Sequence, residues 1–233
     1  MARRDLSNRI SWDDTYAYLA YVTDALHLAG EDGDAEVAIL AKPVDKLLGT
    51  WESLDGERRA RRRAVSRANA LVRRRDVQAD TLVMAMHNDV LSAAKLDREA
   101  PLFKRFFPSP ASVIVRLSLE SELPELRALS LKLAEPETPA SLRKAYESSL
   151  HASIEEGQMA VTGREQAFAE AGRVTARVAS FRQDANATLL GVEGTLKALA
   201  GARRLDGAWV TAFFPPAEKV KKAKKGESGG AGG

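Results

Sequence analysis

Cysteine is absent from the 233 residues of the chain, which excludes disulfide bonds, thiolate metal sites and a cysteine nucleophile. Aromatic residues make up only 6% of the sequence. No apolar run approaches the length of a transmembrane helix, and the amino-terminal stretch has no apolar segment typical of a signal peptide. These absences favour a cytoplasmic protein without membrane contact.

The chain also lacks the short motifs that carry common enzyme chemistries. No Gly-x-Ser-x-Gly element, phosphate-binding glycine loop or dinucleotide fingerprint occurs. The three histidines, His27, His87 and His151, fall on different predicted helices, but none belongs to a Glu-x-x-His pair of the kind that dimetal carboxylate bundles use. We therefore expect a protein that is not an enzyme and that binds neither a metal nor another cofactor.

The abundant residues are those of an all-α protein. Alanine, leucine, arginine and glutamate dominate, and these side chains lose little rotamer freedom in a helix. Ser11 is placed to cap a helix that runs to a break at Gly30–Gly33. Further helices are expected over 34–54 and 57–96, separated by a glycine turn at 54–57.

The tripeptide Phe-Phe-Pro occurs twice, at 106–108 and at 213–215, which are 107 residues apart. Shifting the sequence by this offset also aligns Gly56 with Gly163, so that a second glycine turn is expected at 161–164. Coincidences at one fixed offset are typical of an internal repeat. The pattern therefore predicts that the chain is internally duplicated.

The duplication sets the expected organisation of the chain. Repeat unit 1 covers 1–108, repeat unit 2 covers 109–216, and 217–233 forms a Lys/Gly-rich tail that is expected to be disordered. The two repeats are expected to pack as one domain. This domain would be an elongated antiparallel helical bundle with pseudo-twofold symmetry.

The Phe-Phe-Pro tripeptides have two interpretations. Because proline disfavours a helical conformation at the preceding residue, each tripeptide is expected to end a long helix, with its rings folded back as an apolar plug. Alternatively, the rings form an exposed docking patch. The residues concerned are Phe106, Phe107, Phe213 and Phe214.

The segment 110–124 gives conflicting signals. The run 113–119 alternates like a strand, while Pro124 falls where the duplication places the middle of a helix. Since a single strand would have no partner in an all-α chain, we expect a helix that starts or kinks at Pro124. A strand at 113–119 would require pairing across a dimer.

Positive charge is concentrated in residues 57–76, here called the arginine segment, which contains nine arginines and two acids. On a helical wheel its apolar residues occupy one arc and most of its arginines the opposite half, with Arg61 and Arg75 as exceptions. The predicted basic face consists of Arg58, Arg59, Arg62, Arg63, Arg67, Arg73 and Arg74. A second basic cluster lies in the tail, at Lys219, Lys221, Lys222, Lys224 and Lys225.

Three interpretations of the basic face remain open. Its arginines could pair with acids on neighbouring helices, meet an acidic partner or another copy of the chain, or contact nucleic-acid phosphates together with the tail lysines. The chain has no helix-turn-helix, zinc finger or basic zipper, so nucleic acid would be bound without sequence preference. The sequence favours a non-catalytic scaffold, adaptor or self-assembling subunit, expected to form a homo-oligomer, with nucleic-acid binding as the alternative.

Overall fold

The computed structural model describes residues 5–6 and 10–216. Every regular element in this part of the chain is a helix, which confirms the all-α prediction. No helix there combines the length and the apolar character that a membrane crossing requires. The helices are α1 (Trp12–Glu31), α2 (Ala35–Ala38), α3 (Ala41–Ala93), α4 (Pro101–Phe106), α5 (Ala111–Ile114), α6 (Leu119–Ala134), α7 (Ala140–Ala202) and α8 (Gly207–Thr211).

Helix α1 begins and ends as the sequence predicts. The hydroxyl of Ser11 accepts a hydrogen bond from the backbone N–H of Asp14 at 3.0 Å, which satisfies one of the unpaired donors of the first turn. After the helix ends, Gly33 adopts a φ of 95°, a backbone conformation that only glycine reaches without strain. The predicted break is therefore confirmed.

The two predicted glycine turns are wrong. Helix α3 runs without interruption through Gly56, and α7 runs without interruption through Gly163. A single glycine inside a helix costs about 1 kcal/mol relative to alanine. That cost is smaller than the stabilisation that the flanking helix-forming residues supply, so each helix continues past its glycine.

The long helix α3 also ends earlier than the first Phe-Phe-Pro. It stops at Ala93, and Lys95 and Leu96 then take positive φ values of 58° and 64°. This left-handed backbone cannot continue a right-handed helix. The first Phe-Phe-Pro instead ends the short helix α4, whose last residue is Phe106.

The segment 110–124 contains helix and turn, and none of it is a strand. It contains α5 and the start of α6, which begins at Leu119 rather than at Pro124. Pro124 lies inside α6, one turn past its start. There it removes only one helical hydrogen bond, and the leucines along the rest of α6 bury enough apolar surface to hold the helix.

The described chain forms two compact units whose bounds differ from 1–108 and 109–216. Unit 1 combines the residues up to Asp55 with those from Arg177 onward, and unit 2 comprises Gly56–Ala176. Helices α3 and α7 each contribute residues to both units. Each unit is therefore built from stretches that lie far apart in the sequence.

The core of unit 1 is centred on stacked aromatic rings. Trp12 and Trp51 stack with their ring centroids 5.2 Å apart, and the indole N–H of Trp51 donates to the backbone oxygen of Trp12 at 3.1 Å. Phe181 of α7 meets Trp12 edge-on at 5.5 Å. Contacts between α1, α3 and α7 thus hold this unit together.

The core of unit 2 is aliphatic. The buried face of α6 packs with α3 and α7 through residues that include Leu126, Leu129, Leu133, Met86 and Leu150. At its edge the hydroxyl of Tyr146 donates to a carboxylate oxygen of Asp89 at 2.5 Å. Burial, together with this hydrogen bond, raises the pKa of Tyr146 to about 12.

Candidate interaction surface

The arginine segment lies within α3 and belongs to unit 2. Two of its arginines point at α7 and form ion pairs there, Arg61 with Glu170 and Arg75 with Glu156 at 2.5 Å. These are the two arginines that the helical wheel separates from the predicted basic face. In this unit the acids of α7 therefore neutralise Arg61 and Arg75.

The two ion pairs also define how α3 and α7 are aligned in unit 2. The spacing between Arg61 and Arg75 along α3 equals the spacing between Glu156 and Glu170 along α7. Since the higher number on one helix pairs with the lower on the other, the helices run antiparallel in a constant register. Any residue of one helix in this stretch can therefore be assigned a level on the other.

Three members of the predicted basic face have partners within the protein. Arg73 pairs with Asp76, one turn along α3, at 2.8 Å. Arg58 and Arg59 each have an interaction as well. For these three arginines, the first interpretation applies, in which the basic face interacts with other groups of the same chain.

The other four members of the basic face remain exposed. Within the part of the chain that the structure describes, their side chains have no hydrogen-bond or ion-pair partner. They are Arg62, Arg63, Arg67 and Arg74. Four guanidinium groups without an internal partner in the described chain therefore lie along a single helix. The tail lysines lie outside the described residues.

The arginine segment coincides with a part of unit 2 that lacks a core. From 56 to 71 on α3 and from 162 to 173 on α7, no side chain is buried. We call these two helical segments the uncovered stretch. The burial pattern resumes on α3 at Val72. Beyond this point α6 packs on the pair, with Glu120 near its start bound to Arg164 of α7.

Large apolar side chains are exposed in and beside the uncovered stretch. Leu71 is 43% exposed, Phe168 52% and Met159 66%. The register given by the ion pairs places Leu71 and Met159 within about one residue of the same level, or about 1.5 Å along the helix axis. Met159 also borders a shallow groove that runs along α7 from Ile154 to Gln166.

Leu71 and Met159 lie on the same side of the helix pair. Each directly precedes a buried residue, Val72 and Ala160 respectively. Because successive residues are 100° apart around a helix, both side chains are rotated from the buried face in the same sense. In an antiparallel pair of facing helices, an equal rotation on both brings the two side chains to one side.

The four phenylalanines of the Phe-Phe-Pro tripeptides are buried. Phe106 and Phe107 pack in the core of unit 2, and Phe213 and Phe214 pack in the core of unit 1. Their rings fill the interior of each unit rather than forming an exposed patch.

The histidines do not converge. His27 contacts Asp45 at 3.1 Å in unit 1, and His151 contacts Glu155 at 3.5 Å in unit 2. The ring of His87 instead packs edge-on against Phe103 at 5.3 Å. No group of three or more histidine, aspartate or glutamate side chains among the described residues could hold a metal ion.

Sequence reasoning missed the most perturbed acid of the structure. Glu122 of α6 is fully buried, and burial raises its pKa to about 8, assisted by the negative charges of Asp80 and Asp76. The signal was present in the spacing, since Glu122 occupies an inward position of the heptad-like series that includes Leu119, Leu126, Leu129 and Leu133.

The chain matches no protein-family model, no curated protein and no solved structure.

Proposed function

We propose that the chain is a non-catalytic interaction protein, a scaffold, adaptor or self-assembling subunit that acts through the helix surface of unit 2. The observation that carries this proposal is the uncovered stretch, in which two helices run side by side without one buried side chain. Helices in proteins draw most of their stability from packing an apolar face. A stretch without such packing gains stability when another molecule covers it.

The composition of the uncovered stretch suits a helical partner. It contains small residues on both helices, among them Ala60 and Ala64 on α3 and Gly163 and Ala167 on α7. Small side chains allow a further helix to approach closely, while Leu71 and Phe168 supply apolar area for the contact. These features support association with a homo-oligomeric or acidic protein partner. The absence of cysteine supports a cytoplasmic location.

A second candidate function is sequence-independent binding of nucleic acid. The specific observation in its favour is the set of four unpaired arginines, which spans about 18 Å along α3. Guanidinium groups at this spacing can each approach a phosphate of a nucleic-acid backbone. The tail lysines would add charge to such a contact.

One measurement separates the two candidates. The protein is purified at low salt without nuclease and analysed by size exclusion with light scattering and by absorbance at 260 and 280 nm. A discrete multiple of 25.3 kDa with a protein spectrum supports the self-associating protein. A heterogeneous species with excess absorbance at 260 nm that dissociates in high salt supports nucleic-acid binding instead.

Replacing the four unpaired arginines tests which surface is used for nucleic acid. The variant changes Arg62, Arg63, Arg67 and Arg74 to Ser. If these arginines bind phosphates, the slope of the logarithm of the nucleic-acid binding constant against the logarithm of the salt concentration should decrease in magnitude by about 0.9 for each phosphate that is no longer neutralised. The matched control changes four other exposed basic residues to Ser, namely Lys42, Lys46, Lys95 and Arg98. An equal reduction in both variants would contradict a role for the basic face.

We also propose that the chain is an internal duplication of one helical unit. Helices α1 and α6 support this, because both begin directly after a serine N-cap, Ser11 and Ser118, and these serines are separated by the Phe-Phe-Pro offset of 107 residues. The buried pairs Phe106 and Phe213, Phe107 and Phe214 follow the same offset. Under this proposal each compact unit takes stretches from both repeats.

A further inference from the structure

The uncovered stretch continues the groove in which α6 lies. Helix α6 packs closely on α7, since a Cβ added at Gly157 would lie 2.9 Å from the side chain of Leu123. The first turn of α6 also reaches Arg164 of α7, which forms an ion pair with Glu120. Helix α6 begins at Leu119, whereas α3 and α7 both extend beyond this point through the uncovered stretch. The groove between them therefore continues past the start of α6.

The segment that precedes α6 leaves this part of the groove open. Ile114 and Leu117 border a small cavity of about 170 Å³ together with Glu125 and Lys132 of α6. The chain before Leu119 therefore runs back along α6 and does not enter the uncovered stretch. The burial pattern agrees, because no side chain of 56–71 or 162–173 is buried.

Helix α7 contributes an exposed aromatic ring to the open part of the groove. Ile154, Val161 and Phe168 follow one another at seven-residue intervals, which is almost two helical turns, so they share one face of α7. Gly157 and Arg164, which contact α6, flank Val161 on this face. Ile154 and Val161 belong to the core of unit 2, whereas Phe168 is 52% exposed. Phe168 thus lies on the face that α6 covers, beyond the point where α6 begins.

Helix α3 contributes an arginine without an internal partner to the same side of the helix pair. Arg61 and Glu156 point across the pair, each at the opposite helix. Arg62 directly follows Arg61, and Gly157 directly follows Glu156. In an antiparallel pair, an equal rotation of 100° on both helices brings the two residues to one side, which Gly157 identifies as the side of α6. Arg62 therefore borders the open part of the groove.

The α3 wall of the open groove is strongly basic. Residues 56–71 contain six arginines, and their only acid is Glu57. Val65, seven residues before the buried Val72, is partly buried and supplies an apolar contact on this wall. An occupant that carries negative charge beside an apolar face is therefore complementary to this surface.

We propose that an acidic amphipathic helix of a partner protein occupies the uncovered stretch, in line with α6. Apolar residues of the partner cover Val65 and Phe168, and a carboxylate pairs with Arg62, as Glu120 of α6 pairs with Arg164. The uncovered part of α3 is long enough for a partner helix of about four turns, or about 24 Å. This inference rests on the proposed function and specifies its partner.

Fluorescence anisotropy with synthetic peptides tests this docking site. The labelled probe is a peptide of about four helical turns with leucine along one face and glutamate at the other positions, and the control peptide carries lysine in place of each glutamate. The groove variants are Phe168→Ser and Arg62→Glu. Their matched controls, Met159→Ser and Arg74→Glu, change exposed residues on other faces of the same two helices. Far-ultraviolet circular dichroism verifies that all four variants keep their helix content.

The acidic peptide is expected to bind the natural protein with a micromolar Kd and to bind each groove variant at least about tenfold more weakly, the size of effect typical of a central interface residue. The two control variants should keep the affinity of the natural protein within about twofold, because exposed residues outside a contact contribute little to binding. The lysine peptide should bind more weakly than the acidic one, since it meets the arginines with like charge.

Other outcomes overturn the inference at distinguishable points. If the acidic peptide binds all four variants as tightly as the natural protein, a protein-interaction function stands and this groove is wrong. If the lysine peptide binds as tightly as the acidic one, charge does not select the partner and the inference is wrong. If neither peptide binds and light scattering shows a discrete oligomer, the proposed function stands with a second copy in place of this partner. A monomeric protein that binds neither peptide, with or without binding a labelled DNA duplex, overturns both.

Discussion

Glu122 is the residue at which packing and ionisation conflict most directly. It is fully buried, and neither of its carboxyl oxygens has a hydrogen-bond partner in the described part of the chain. Asp76 and Asp80 on α3 add negative charge nearby, and burial also raises the pKa of Asp80, whereas Arg73 acts in the opposite sense on that residue. With a pKa of about 8, Glu122 is mostly protonated at neutral pH in the folded protein.

The first prediction concerns the pH dependence of stability. In the unfolded chain Glu122 ionises near its ordinary pKa of 4.5, so between this value and about 8 the folded state holds a proton that the unfolded state has released. The free energy of unfolding therefore falls as pH rises through this window, by an upper limit of about 4 kcal/mol. Glu122→Gln should flatten this dependence and raise stability at pH 8.

Thermal unfolding at pH 5, 6.5 and 8 measures this effect. The control is Glu125→Gln, an exposed acid on the same helix, which should keep the pH dependence of the natural sequence. An equal melting temperature at pH 5 and pH 8 in the natural sequence, or an unchanged slope in Glu122→Gln, would contradict a buried acid at this position.

At the scale of single elements, α3 and α7 are longer than the sequence predicts, because the glycine turns expected at 54–57 and 161–164 do not form. Glycine is a strong turn signal only where the chain needs a backbone that other residues avoid, as at Gly33. Gly56 and Gly163 have no such need, since a Cβ added at either would meet nothing within 4 Å. They are ordinary helical positions that happen to carry glycine.

The second prediction follows from this geometry. Gly56→Ala and Gly163→Ala should each stabilise the protein by about 0.5–1 kcal/mol, because alanine restricts the unfolded chain and favours helix. Gly30→Ala is the contrasting variant, since its Cβ would lie 2.7 Å from that of Ala38, and it should destabilise. Urea unfolding measures all three, and a decrease in stability in the first two would instead favour turns at these positions.

At the scale of the whole molecule, the two compact units interleave the halves of the sequence. Unit 1 joins the amino-terminal part of α3 to the carboxyl-terminal part of α7, so that Leu47 and Trp51 share a core with Phe181 and Leu189. Residues 1–108 supply only one side of this core. The core of each unit forms only when distant parts of the chain meet.

The third prediction is that the sequence halves do not fold independently. Fragments 1–108 and 109–233 should each lack cooperative unfolding when isolated, because Trp12 and Trp51 lose the α7 surface that covers them. An equimolar mixture should recover the near-ultraviolet circular dichroism of the stacked tryptophans. If fragment 1–108 alone shows this signal and a cooperative transition, the interleaved units are not needed for folding.

Local chemistry by itself determined the helical class of this protein, the cap at Ser11, the break at Gly33 and the outward position of most arginines. These features depend on propensity and on the 3.6-residue period, which a short window of sequence contains. The wheel also separated Arg61 and Arg75 from the other arginines. It could not name their partners, Glu170 and Glu156, because those lie about a hundred residues away along the chain.

Only the tertiary structure decided where the helices continue, which segments share a core and where the core is missing. The glycines at 56 and 163 resemble turn signals, and packing shows that nothing there requires a turn. The uncovered stretch is invisible in the sequence because its alanines and arginines form the same amphipathic pattern as a covered helix. Burial depends on which surfaces a neighbouring helix reaches, and that is a property of the assembled unit rather than of any segment.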